Sequence, residues 1–78
     1  MEFEKNAEMI MQIDQLIRLK NTGPVEELTR KLNIGKSLWY EILNIMKAYG
    51  ANIEFDRHRK TYYYVNEGSF DFHFREKK

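Results

Sequence analysis

Apolar residues recur with helical spacing through the first fifty positions of the chain and with a period of two after that. Ile10, Ile13 and Ile17 form one stripe, widened by Met9, Leu16 and Leu19, which predicts a first helix over residues 7–20. Asn6 suits its N-cap, and Glu8 suits the positive end of its dipole. Gly23 is expected to end this helix, and Pro24 to open the next where the missing amide proton has no partner to lose. The second helix is predicted over 24–32 from Val25, Leu28 and Leu32, with Glu26 and Glu27 in its first turn and Arg30 and Lys31 in its last. Asn33 tolerates a left-handed backbone, Ile34 drops toward the core, and Gly35 is a weak N-cap. A third helix follows over 36–49 and stops at Gly50. Trp39, Leu43 and Met46 face inward there, Leu38 and Ile42 do so partly, and Lys36, Ser37, Tyr40, Glu41, Asn44 and Lys47 face out.

Beyond Gly50, Ile53 and Phe55 alternate with Glu54 and Asp56, and Thr61 to Val65 is β-branched and aromatic. These runs predict a hairpin over 52–65 with a basic tip, Arg57, His58, Arg59 and Lys60. Asn66 to Ser69 reads as a turn, and Phe70, Phe72 and Phe74 alternate with Asp71, His73 and Arg75 as a third strand over 69–75, before a solvated tail. The three Phe share one face, which needs cover from the first helix or from a second subunit.

Taken in order, Val25 to Leu28 with Leu32 and Ile34, then Trp39, Tyr40, Leu43 and Met46, then Gly50, Ala51 and Ile53, then Phe55 to Arg57 and Tyr62 to Tyr64, this chain resembles the winged helix-turn-helix domains of bacterial transcriptional regulators in their short, stand-alone form. The resemblance spans roughly residues 7–65. It implies an α+β fold: a three-helix winged helix-turn-helix with a C-terminal β-hairpin wing, to which the strand over 69–75 is added. It also implies a non-enzymatic DNA-binding protein, a transcriptional regulator or accessory factor that acts as a homodimer. Helix 36–49 enters the major groove of duplex DNA and the wing lies on the neighbouring backbone. The residues so implicated are Lys36, Ser37, Tyr40, Glu41, Asn44 and Lys47 on the helix and Arg57, His58, Arg59 and Lys60 on the wing. The helix departs from the family pattern by carrying Gly35, Lys36, Ser37, Leu38 and Glu41 where Ser, Thr and Arg are usual. Glu41 places a carboxylate where it must accept a base donor or be repelled by phosphate. That departure motivates a second reading, a winged-helix module that holds protein, with Leu38, Ile42 and Ile45 widening its apolar surface.

Composition adds bounds. Seventy-eight residues make a single domain, 1–78, and 42% hydrophobic residues with five Phe, five Tyr and one Trp allow one modest, aromatic-rich core. The absence of cysteine excludes disulfides and thiolate chemistry and fits the cytoplasm, and no apolar segment reads as a leader or a membrane span. A net charge of +1 is too small to mark a nucleic-acid binder by itself, but the basic excess is local: Lys36, Lys47, Arg57, Arg59 and Lys60 stand against Glu41, Glu54 and Asp56. His58 and His73 have no ligand spacing, so no metal and no cofactor are expected. Glu26 with Glu27 and Glu54 with Asp56 lack the shared cleft that acid–base catalysis requires. The Tyr62 to Tyr64 run is a candidate stacking platform for single strands, although alternation sends Tyr62 and Tyr64 to one face and Tyr63 to the other, which favours packing over the hairpin.

Overall fold

A computed structural model describes residues 3–71 and 73–77, with side chains from Ala7 onward. Phe72 and Lys78, expected on the third strand and in the tail, lie outside the described residues, as do Met1 and Glu2. Three helices, α1 (Phe3–Arg18), α2 (Val25–Leu32) and α3 (Lys36–Ala48), precede two antiparallel hairpins. The first hairpin joins β1 (Ile53–Asp56) to β2 (Thr61–Tyr64), and the second joins β3 (Gly68–Asp71) to β4 (His73–Glu76). This is the α+β, three-helix and wing architecture that the periodicities predict.

Helix α1 begins at Phe3, four residues earlier than expected, so Asn6 sits within it and is not its cap. It also ends earlier, at Arg18, because Lys20 takes a left-handed backbone (φ 54°) while Asn21 N–H reaches back to the Leu16 carbonyl at 3.0 Å. Lys20, rather than Gly23, therefore fills the terminating position usually given to glycine. Asn33 does the same for α2 with φ 57°, and the Ile34 N–H closes on the Thr29 carbonyl at 3.0 Å, which makes the sharp turn into α3. Gly50 ends α3 with φ 106°, where a side chain would be strained.

One core joins all these elements. Ile10, Ile13 and Ile17 of α1, Leu28 of α2, Trp39, Ile42, Leu43 and Met46 of α3, Ile53, Tyr64 and Phe70 are buried together. The Ile10, Ile13 and Ile17 stripe and the inward positions of α3 are as expected, with Ile42 fully rather than partly inside, but Leu19, expected to widen the first stripe, lies past the end of α1 and is 64% exposed. Helix α1 packs most extensively against β2 and β3, so it covers the hairpins more than it covers the other helices. Trp39 is 0% exposed, and among the described residues its indole N–H has no acceptor. A desolvated, unpaired donor costs about 1–3 kcal/mol, which the burial of the large ring offsets.

The segment expected as a single strand over 69–75 instead doubles back as β3 and β4, in a register that sets Phe70 opposite Phe74. Phe70 enters the core, and the half-buried Phe74 ring packs 4.9 Å from that of Tyr64. The cover that this row requires is thus supplied, for both of these rings, by the chain itself. Gly68 permits the tight pairing, since a Cβ there would run into the Arg75 carbonyl and the Phe74 ring.

Two polar junctions hold the layers in register. Asp14, 4% exposed, accepts the Tyr64 hydroxyl at 2.7 Å and the Phe70 N–H at 2.8 Å on one oxygen and the Arg18 Nε at 2.9 Å on the other. Burial, followed by this bond, raises the Tyr64 phenol far above its ordinary value. Thr22, in the loop between α1 and α2, and Thr61, at the start of β2, are both buried. Thr22 N–H donates to the Thr61 hydroxyl at 3.1 Å, and the Thr22 hydroxyl accepts Tyr62 N–H at 2.8 Å.

Candidate nucleic-acid interface

The helical half of the candidate surface follows from α3 having one wide buried face. With Trp39, Ile42, Leu43 and Met46 fixed inside, helical geometry turns Lys36, Ser37, Tyr40, Glu41, Asn44 and Lys47 outward, and all six are exposed. Lys36, Tyr40, Asn44 and Lys47 lie three or four residues apart and so form one stripe. Lys36 is also within 3.5 Å of Glu26 across the turn, an ion pair open to solvent. The Glu26 carboxyl is held below its ordinary value, first by a bond to its own backbone amide at the start of α2 and then by Lys36. Of the apolar residues expected to widen a protein-holding α3, Ile42 is inside and Leu38 is half-buried against the core, while Ile45 is half-buried.

The wing half is built by Asp56. Its side chain accepts the backbone N–H of His58 at 2.9 Å and of Arg59 at 3.1 Å, an arrangement that closes the tip locally. These amides, Arg59 foremost, hold the Asp56 carboxyl below its ordinary value. Lys60 completes the reversal with a left-handed backbone (φ 54°), and Asp56 then pairs with Thr61. Arg57, His58, Arg59 and Lys60 are all exposed, and only the Arg59 guanidinium approaches a described carboxylate, Asp56 at 4.0 Å.

Helix and wing are connected through aromatic rings. Tyr62 meets Trp39 edge-on with centroids 5.0 Å apart, and Phe55 meets Tyr62 at 4.9 Å. Tyr62 stands two residues past Lys60, so its contact with Trp39 ties the root of the wing to the first half of α3. The Thr22–Thr61 junction fixes the same root from the side of α1. Neither junction was anticipated from the sequence. The tyrosine run is spent largely on packing: Tyr64 is buried and Tyr62 and Tyr63 are half-buried, so it offers no open platform for stacked bases.

No three or more His, Cys, Asp or Glu side chains are grouped to hold a metal among the described residues, and His58 and His73 are both exposed. No helix among them is long and apolar enough to cross a membrane. Comparison with models of protein families, with curated proteins and with solved structures finds no match to this chain. What stands is a small α+β domain of three helices and two hairpins whose topology is broadly compatible with winged-helix domains.

Proposed function

We propose that this chain is a non-enzymatic, duplex-DNA-binding protein of winged helix-turn-helix type, acting as a homodimeric transcriptional regulator or accessory factor in the cytoplasm. The observation that carries this reading is an exposed, basic hairpin tip whose flanking residues are anchored, Tyr62 on the buried Trp39 of α3 and Thr61 on Thr22, in a molecule whose α3 also presents an exposed polar stripe. In this reading Arg57, Arg59 and Lys60 meet phosphates and release counterions, which needs charge and reach but no fixed geometry. Asn44 reads a base edge through its paired donor and acceptor, Tyr40 adds contact area, and Lys36 and Lys47 meet the backbone. Glu41 is accommodated as an acceptor for a base amino group.

The test is selection of duplex DNA from random sequence at two salt concentrations, followed by titration of the chain with the winning site. Enrichment of a motif, with affinity falling steeply as salt rises, supports the reading. The R57A/R59A/K60A variant is expected to flatten the logarithmic salt slope by roughly 2–3, close to one per cation removed. Absence of any duplex shift at low salt overturns it.

A further inference from the structure

Away from α3 and the wing tip, the end of α1 and the second hairpin enclose a groove of about 550 Å³. Its size falls within the roughly 300–1,000 Å³ of small-molecule sites. Arg18, Lys20, Arg75 and Lys77 line it with Glu67 and Glu76. Two further carboxylates reach these arginines from outside the lining, Asp14 at 2.9 Å from Arg18 Nε and Asp71 at 3.9 Å from Arg75 Nε, so that Lys20 and Lys77 are the cations of the groove with no carboxylate within 4 Å among the described residues. Part of the wall is apolar, from Ile17 and Tyr64.

The geometry of the hairpin and of Arg18 makes this more than a scatter of surface cations. The register of β3 and β4 sets Ser69 directly opposite Arg75 and Gly68 opposite Glu76, so a hydroxyl and a guanidinium stand side by side on one face. Beyond them, Lys77 N–H donates to the Glu67 carbonyl at 2.7 Å, which fixes the mouth of the hairpin. Arg18 is held by its Nε on Asp14, itself fixed by Tyr64 and Phe70, and among the described residues its two terminal nitrogens have no hydrogen-bond partner. A guanidinium held at Nε presents its remaining donors as a pre-set fork, the arrangement suited to bidentate binding of a phosphate or carboxylate.

We propose that this groove is a binding site for a small organic dianion, a phosphomonoester or dicarboxylate with a compact apolar body. The anionic group sits between Arg18 and Arg75 with Ser69 donating to it, Lys20 and Lys77 supply the rest of the charge, and the body lies on Ile17 and Tyr64. Because the Arg18 fork hangs on Asp14, an occupied groove is sensed where α1 meets both hairpins. The proposal does not depend on DNA binding by α3 and the wing.

The experiment follows the backbone amide signals of the full ¹⁵N-labelled chain during titration with phenyl phosphate, inorganic phosphate and succinate, against sodium chloride at matched ionic strength. Saturable shifts at Gly68, Ser69 and Lys77 are expected, with phenyl phosphate several-fold tighter than inorganic phosphate. A comparable response to succinate extends the site to dicarboxylates, and a weaker one restricts it to phosphomonoesters. The R75Q/K77Q variant, which alters only exposed positions, is expected to lose at least ~10-fold in affinity. R18K keeps the charge without the fork and is expected to lose several-fold, whereas R57A/R59A/K60A is expected to bind as the parent does. Shifts no larger than those in chloride, shifts confined to Arg57–Lys60, or undiminished binding by R75Q/K77Q overturn the proposal. So does a groove that responds to duplex DNA and to none of the three small anions.

Discussion

Asp14 is the carboxylate on which the fold turns, and its two oxygens do different work. One takes the Tyr64 hydroxyl and the Phe70 amide, both buried, and the other takes Arg18, whose side chain is half exposed. Removing the whole group strands two desolvated donors, so D14A is expected to cost about 2–5 kcal/mol. Asparagine can keep its carbonyl oxygen toward Tyr64 and Phe70 and loses chiefly Arg18, so D14N is expected to cost about 1–2 kcal/mol. Urea midpoints at unchanged m-value give both numbers, and equal losses in the two variants would contradict the division of labour. Tyr64 gives a pH signature at the same junction. Its folded pKa lies above the unfolded value of about 10, so the stability it contributes is complete below that pH and is lost as pH rises toward the folded value. Y64F is accordingly expected to lose less stability than the parent between about pH 9 and 11.5, read from urea midpoints across that range. The position of Asp14 was legible in the sequence, since it falls four residues after Ile10 and three before Ile17, on the buried stripe, with Arg18 one turn on. Its partners were not, because Tyr64 and Phe70 are 50 and 56 residues away and no local pattern links them to α1.

The elements were legible in proportion to how far local chemistry determines them. Helices α2 and α3 fell within a residue of expectation because apolar period, charge order and the left-handed Asn33 all point to one arrangement. The second hairpin carries the sequence pattern of one strand because Phe70, Asp71, Phe72, His73 and Phe74 alternate without a Gly, Pro or Asn to mark the reversal. The wing is the opposite case, since its turn is specified by a single side chain. The Asp56 carboxyl, held low by the Arg59 and His58 amides, supports the tip above the ordinary aspartate range, and the support is lost as pH falls through its folded value. The His58 and Arg59 amide signals are expected to titrate with a midpoint below the ~3.9 of a free aspartate, and to stay flat over that range in D56A. A midpoint at or above the free value would show that the tip does not depend on this carboxylate. D56A is further expected to leave the melting of the helices almost unchanged, because the tip is exposed and touches none of the core.

At the scale of the whole molecule the chain is a slab, 31 × 30 × 16 Å, with the wing root pinned to α3 on one side and to the loop after α1 on another. On the proposed DNA-binding reading, affinity and specificity fall to different parts of the molecule. The tip carries cations with little fixed geometry, and the α3 face carries Asn44 and Tyr40 on a rigid helix with one cation at each end, Lys36 and Lys47. Rigid placement is what a base-edge contact requires, because a paired donor and acceptor discriminate only when both are aligned. On the proposed DNA-binding reading, N44A should therefore lower affinity for the selected site by about 1–3 kcal/mol, relax preference at one base pair, and leave the salt slope as it was. Neutralising the wing should weaken binding to selected and random duplex alike and reduce the slope, since phosphate contacts do not distinguish sequences. Titrating both variants against the selected and a scrambled duplex at several salt concentrations separates the two effects. If N44A and the wing variant change slope and preference together, α3 and the wing do not divide the task, and the helix contributes only charge.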